Sequence, residues 1–467
     1  MFSRYTDHLR KNFEANEDDS MLQAKNTLEW LAKELKPSYD LVEKPLRNNQ
    51  KEAVLLFVKT LVDNDKIQLL LIKPFFEIEM TGKFLDYLRS LPDGQDITSK
   101  EQVLSEIMKG SVILSLHDQL FLFDIKKVNT SNVPTTSLEN TVLGPQSSLS
   151  EDIHTNINLI RQRYHQSTLS VEMIEIGLVT NQSLAIMYDR ELVNQDALEQ
   201  IKEKIKHLHK PIVQSTAELQ RLINGRKFSL FPFMMITERT DRIVYNLGSG
   251  KIVLTLDGDA STIIAPAIFT DFMSAMDDKY HSNIFTKFVQ FLRYIGLFIS
   301  LLLPGFYVAS TAYNPVILHT ELALSVAGSR VGVPYPSYVE VTFMLIIMEL
   351  LIEASIRLPK TISAAATTVG GLILGTAITE AALASNIMII VVSAVAICNF
   401  SIPIGELNSA IRVLKYVFII FATTTGLAGL TLILLGLVMY LTNCESFGEP
   451  YLKLHVKGKL KMKEEKL

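Results

Sequence analysis

The stretch Thr361–Gly405 carries a single charged side chain, Glu380, and no other feature limits the fold of this chain so tightly. Helices and strands exposed to water alternate apolar with polar positions, so a run this long without alternation needs an apolar surround. A bilayer span takes about 20 apolar residues, because the hydrocarbon core is roughly 30 Å thick and a helix rises about 1.5 Å per residue. Thr361–Gly405 is therefore read as two spans, with the break near Ser385 and Asn386. Tyr294–Tyr313 is another charge-free span; Pro304 is expected to kink it, which a membrane helix tolerates. Tyr416–Cys444 reads as the last span. Tyr338–Ile356 is apolar but holds Glu340, Glu349 and Glu353, so it is expected to face protein or water, and it is the candidate for a re-entrant segment. The expectation is an all-α polytopic membrane domain of about five segments.

Basic residues cluster at Arg293, at Arg357 with Lys360, and at Arg412 with Lys415, each cluster two segments from the next. All three then fall on one side of the bilayer, the side of the N-terminal half. Five crossings put the basic tail (Lys453, Lys457, Lys459, Lys461, Lys463) on the other side, against the same rule, unless one segment is re-entrant. The start, MFSRYTDHLRKNFEANEDDS, has neither an apolar h-region nor a cleavage site, so the N-terminal half is expected on the cytoplasmic side.

That half is dense in charge and reads as mixed α/β. Strands are predicted at Ala53–Val58, Ile67–Ile72, Val171–Leu178 and Ser183–Met187. Strand pairs are predicted over residues 112–125, around His117-Asp118, and over 242–256, around Gly248-Ser249-Gly250. A helix is predicted over Gln195–Leu208 with Asn194 as N-cap. The polar stretch Asn129–Ser150 is read as a linker between two subdomains. The expected organisation is a helical N-terminal tail over 1–40, α/β subdomains over 41–145 and 146–275, the membrane domain over 276–445 and a basic tail over 446–467.

Several function classes are disfavoured. A net charge of −4 with no basic domain argues against nucleic-acid binding. Phosphate-loop, dinucleotide and metalloprotease motifs are missing, so no catalytic, cofactor or metal site is assigned. His207 and His209 sit two apart on a predicted helix and point to different faces. Cys398 and Cys444 lie in apolar runs and read as free, small hydrophobes.

Taken in order, several stretches resemble the A subunit of the GerA-type germinant receptors of spore-forming bacteria. They are VLGPQSSLSEDIHTNINLIRQR (Val142–Arg163), FPFMMITERTDRI (Phe231–Ile243), IVLTLDG (Ile252–Gly258), FLRYIGLFISLLLPGFYVA, SRVGVPYPSYVE, RLPK, VGGLILG and SFGEPYL (Ser446–Leu452). Departures are Thr240 where the family reads TERPD, Ile352 and Ser355 where relatives carry an arginine and a glycine, and Thr376 in place of a glutamine. The resemblance implies a multi-pass receptor component in the spore inner membrane. It implies partnership with a transporter-like, nutrient-binding B subunit and a lipoprotein C subunit, and assembly into a homo-oligomer that releases monovalent cations. It also singles out Glu238, Arg239, Asp241, Arg330, Pro334 and Pro336 as motif residues.

Candidate ion-pathway residues follow from helix geometry. Glu349 and Glu353 are four apart and share a face, so an oligomer would arrange them as a carboxylate ring. The opposing reading pairs Glu353 with Arg357 at i,i+4. Thr368, Leu372, Thr376 and Glu380 form an i,i+4 stripe, while Gly371 and Gly375 make a small-xxx-small pair suited to close helix packing. Against a pathway stands the possibility that the threonines bond their own i−4 carbonyls. Glu238, Arg239 and Asp241 read as a local charge cluster tying the soluble half to the membrane half, in preference to a ligand site. The basic tail is either a lipid-headgroup contact or a solubilising end. Two other classes compete with a channel-forming subunit: a secondary transporter, disfavoured because no internal repeat is visible, and an α/β ligand sensor that the helices merely anchor.

Overall fold

The computed structural model describes residues 27–453 except 36–37, 93, 96–99, 117–118, 128–135, 137–138, 140, 209 and 226–228. The first 26 residues of the expected N-terminal tail, the basic tail beyond Lys453, the His117-Asp118 turn, His209 and much of the expected linker lie outside the described residues. The chain divides into two compact units, one of residues 27–225 with Ile236–Pro266 and one of 229–235 with 267–453.

The first unit holds two five-stranded sheets. Strands β1 (Leu41–Asn48), β2 (Lys51–Val58), β3 (Gly94–Gln95), β4 (Ser111–Leu116) and β5 (Gln119–Asp124) order as β1-β2-β4-β5-β3, with antiparallel neighbours. β2 reads KEAVLLFV, apolar at successive positions, because both faces of this sheet are covered. Ala53, Leu55 and Phe57 join one core with Phe75 and Phe84; Leu56 and Val58 join another with Leu31, Leu35, Val103 and Ile107. Alternate residues of a strand point to opposite faces, so the sheet lies between two layers of helices, α1 (27–35) and α3 (Lys100–Ile107) on one side and α2 (Thr81–Ser90) on the other.

The second sheet runs β6-β7-β9-β10-β8, from β6 (Leu169–Ile176), β7 (Gln182–Asp189), β8 (Met235–Thr237), β9 (Ile252–Leu256) and β10 (Thr262–Ala265). Its helices are α4 (Ile153–Arg161), α5 (Gln195–Lys206), α6 (Thr216–Asn224) and α7 (Thr240–Gly248). Asn194 caps α5 as predicted, its side chain accepting from the Asp196 amide. The two sheets meet across a buried pair: Arg161 Nε and Nη2 donate to Asp40 Oδ2 and Oδ1, each at 2.8 Å, with both side chains 1% exposed. The Tyr39 amide donates to the Val171 carbonyl at 3.0 Å beside it.

Two strand expectations fail here. Ile67–Ile72 is helical, because Asp63 caps the amides of Asp65 and Lys66, and Ile67, Leu71 and Phe75 recur at the helical i,i+4 spacing on the buried side. Residues 242–256 are not a hairpin: α7 precedes β9, with Ile243 and Leu247 buried one helical turn apart. The glycines do turn the chain. Gly250 has φ 82°, and a Cβ there would lie 2.4 Å from the Leu192 carbonyl oxygen. Thr240 is the first residue of α7, a position where a proline's fixed φ and missing N–H would also be tolerated.

The second unit is helical: α8 (Asn283–Ala312), α9 (Thr320–Ser329), α10 (Ser337–Arg357), α11 (Lys360–Glu380), α12 (Asn386–Phe400), α13 (Gly405–Thr425) and α14 (Leu427–Thr442). Three are long and apolar enough to cross a membrane: α8, α11 over Ile362–Glu380, and α13; α12 and α14 are apolar but shorter. α8 runs through Pro304 as one helix and packs chiefly on α13 and α12. Gly296 lets α8 approach the α12 end closely, since a Cβ there would meet Ser401 Oγ at 2.5 Å. The break between α11 and α12 falls where it was expected, with Ser385 capping α12 through the Met388 amide. The expected single span Tyr416–Cys444 is two helices, divided at Gly426, whose φ of 65° and ψ of −138° only glycine adopts readily.

Beyond α14 a two-stranded hairpin, Glu445–Ser446 with Glu449–Pro450, returns the chain to the segment that leads into α8. Ser446 Oγ donates to the Phe233 carbonyl and accepts from the Ala267 amide. The Phe269 amide donates to the Tyr451 carbonyl at 3.0 Å, and the Tyr451 ring is wedged against Phe231, Phe233 and Phe269. The chain thus leaves the helical bundle at the end where it entered.

Candidate ion-pathway helices

α10 begins where a proline-rich lead-in fixes the chain. The Pro336 carbonyl accepts from the Val339 and Glu340 amides at 3.0 and 3.2 Å, opening the first turn. Pro334 is exposed in that lead-in, and Arg330 Nη2 donates to the Tyr335 carbonyl at 3.1 Å. Arg330 Nε lies 3.3 Å from Glu340 Oε2. Of the carboxylates on α10, Glu340 is the most deeply enclosed, with a fully buried side chain. Its Oε1 accepts from both the backbone amide and the hydroxyl of Ser385, each at 2.7 Å. The Tyr307 hydroxyl of α8 stands 3.4 Å from the same Ser385 hydroxyl.

Glu349 is held by two cations of α13. Arg412 Nε donates to Oε2 at 2.7 Å and Arg412 Nη2 contacts the same oxygen; Lys415 Nζ donates to Oε1 at 2.7 Å. Lys415 is fully buried, so the carboxylate supplies the counter-charge for an ammonium removed from solvent. Glu353 forms the i,i+4 pair with Arg357, at 2.7 Å and largely exposed. Both sequence-predicted acidic residues therefore carry guanidinium partners.

α11 is different. Its chief neighbour is α10, and Gly370 and Gly371 sit at van der Waals distance from Leu351, with 3.6 and 3.8 Å to a notional Cβ. Gly375 faces open space. Among the described side chains of α11 only Ile378 is buried, while Val369, Leu372 and Ile373 are exposed, Leu372 by 67%. Thr368 Oγ1 donates to the Ala364 carbonyl at 2.8 Å and Thr376 Oγ1 to the Leu372 carbonyl at 3.0 Å, the back-bonding set against a pathway above. A hydroxyl that gives its proton to its own helix still presents acceptor lone pairs outward. Glu380 is exposed at the end of the stripe.

The motif acids of the α/β unit lie elsewhere. Arg239 Nη2 donates to Asp241 Oδ2 at 2.9 Å, Arg242 Nη2 reaches Glu139 Oε2 at 3.0 Å, and Glu238 Oε1 accepts from the Glu139 amide at 3.3 Å. These contacts are inside the α/β unit. No cluster of metal-binding side chains occurs among the described residues.

Sequence reasoning passed over Glu340 as a site and treated Arg412 and Lys415 only as markers of sidedness. The three-residue spacing of Arg412 and Lys415, which puts both on one helix face, was the available signal. Their partner stands more than sixty positions upstream, so no local spacing rule could supply it.

A family profile described as "Bacillus/Clostridium GerA spore germination protein" matches residues 29–465. Spore germination protein KA of Bacillus subtilis (strain 168) is 30% identical, over 92% of this chain and 81% of its own length. Spore germination protein GerLA of Bacillus cereus is 28% identical, over 85% of this chain and 83% of its own length. A crystal structure of the N-terminal domain of the A subunit of the Bacillus megaterium spore germinant receptor GerK3 is similar at 21% identity, covering 52% of this chain and 94% of that one, with a TM-score of 0.40. With the family profile spanning nearly its whole length, the chain belongs to the GerA spore germination protein family.

Proposed function

We propose that this chain is the A-type membrane subunit of a nutrient germinant receptor in the spore inner membrane. In this reading several copies assemble so that α11 lines a path for monovalent cations, beside a transporter-like nutrient-binding subunit and a lipoprotein subunit. The observation that carries it is the exposure of α11. A helix this apolar, touched by its own chain along little more than one neighbour, needs lipid or other subunits around it, and its threonine oxygens offer a neutral acceptor row. In this reading Glu349 ties α10 to α13 and Glu353 pairs with Arg357 within α10, and neither forms a carboxylate ring. The division at Gly426 and the return of Tyr451 to Phe269 support six crossings, with both ends of the bundle on the cytoplasmic side.

Single cysteines placed at 369, 372, 373 and 376, after Cys398 and Cys444 are changed to serine, test the assembly. Oxidation in membranes is expected to yield disulfide-linked copies at the positions facing the shared axis and none on the opposite face. No inter-copy disulfide at any of the four positions would contradict it.

A further inference from the structure

α11, which bears the proposed pathway, packs on α10 and is also tied at the turns at its two ends. At the entry, Ser363 Oγ donates to the Ser355 carbonyl at 2.8 Å across the Leu358–Pro359 corner. At the exit the chain turns through Ala381–Ala384, with Ala382 at φ 52°, and stops at Ser385, the N-cap of α12. That exit turn is the one Glu340 grips: both Ser385 contacts end on its Oε1, and its Oε2 faces Arg330. Glu349 grips α13 instead, two and a half helical turns along α10, or about 13 Å at 1.5 Å per residue. The two carboxylates of one helix therefore fasten different things. One fixes the scaffold of α10 on α13, and the other fixes the end of the unscaffolded helix.

The geometry points to Glu340 as the positioning residue for ion release: through Ser385 and Arg330 it sets where the end of α11 stands against α10. This rests on the proposal that α11 lines the cation path. A fully buried carboxylate with two hydrogen bonds on Oε1 and the Arg330 guanidinium 3.3 Å from Oε2 favours one arrangement of the turn it holds. Glu340→Gln keeps an acceptor for Ser385 but withdraws the charge facing Arg330. Glu340→Ala withdraws both, and Ser385→Ala removes the hydroxyl contact alone.

Hydrogen exchange on the full chain in lipid nanodiscs reads the latch without relying on conduction. Glu340→Ala is expected to speed exchange of the amides from Ala381 to Met388 by about tenfold or more, corresponding to about 1.4 kcal/mol per decade. Glu340→Gln and Ser385→Ala should give smaller increases, with α13 unchanged in all three. Unchanged exchange at Ala381–Met388 in Glu340→Ala and Ser385→Ala, or a uniform rise that includes α13, overturns the assignment. Potassium efflux from vesicles holding the assembled receptor then reads the function. If the wild-type receptor releases potassium on nutrient addition, Glu340→Gln should shift the nutrient concentration needed for half-maximal release by threefold or more. An unshifted response overturns the positioning role. Absence of release in the wild type sinks the channel reading instead, while the exchange result still decides the latch.

Discussion

At the residue scale, charge inside the helical unit is placed to be neutralised. Glu349 faces two cations, and removing one partner of a buried ionic group costs about 3–5 kcal/mol because the remaining charge stays uncompensated. Glu349→Gln is therefore expected to lower the unfolding temperature of the detergent-solubilised chain, and Glu349→Gln with Lys415→Met to recover much of the loss. An unchanged melt in the single variant would mean that the carboxylate is not the counter-charge of Lys415. Asp40 plays the corresponding part in the α/β unit. Burial pushes its carboxyl up, but the Arg161 guanidinium and the hydroxyls of Thr60 and Ser38 outweigh that and hold it below the ordinary 3.8. A carboxyl with a lowered folded value stabilises the fold above its unfolded value and stops doing so as pH falls through the folded one. Protection of the β1 and β6 amides should thus fall below pH 3.8 more steeply in the wild type than in Asp40→Asn. Identical acid profiles would exclude Asp40 as the clasp between the sheets.

At the element scale, glycine decides where the last apolar run divides. Gly426→Ala puts a Cβ 3.0 Å from the Tyr313 Cβ at a backbone conformation hostile to side chains, and should destabilise the α13–α14 corner by about 1–3 kcal/mol. Denaturant unfolding of the full chain measures this, and a change below about 0.5 kcal/mol would show that the corner relaxes freely. Gly426 also shows what was legible and what was not. Charge-free runs announced where the long apolar helices lie, and the Ser385 cap announced one break, because Ser-Asn is a recognisable helix start. A lone glycine in a run without polar residues sends no such signal, since glycine is ordinary inside membrane helices. The α/β half failed where a short apolar run fits either period: Ile67–Ile72 follows the Asp63 cap, and Ile243 and Leu247 are buried one helical turn apart. The candidate site was half legible. The Thr368–Glu380 stripe and the Glu353–Arg357 pair follow from local spacing, whereas Glu340–Ser385 and Glu349–Arg412 depend on contacts 45 and 63 positions apart.

At the scale of the whole molecule, the helical unit combines a fastened scaffold with one exposed helix. α8, α12 and α13 pack on one another, Glu349 clamps α10 to α13, Glu340 holds the turn between α11 and α12, and α11 presents its apolar and hydroxyl-bearing surface outward. In the proposed assembly, neighbouring copies or lipid cover that surface. The most direct measurement is potassium efflux from liposomes carrying the assembled chain with the proposed transporter-like and lipoprotein partners, in wild type and in Thr376→Trp. Nutrient-triggered efflux that falls by about tenfold or more when the indole fills the stripe, with assembly intact, is the predicted result. Equal efflux from both, or none from an intact wild-type assembly, would contradict a cation path along α11.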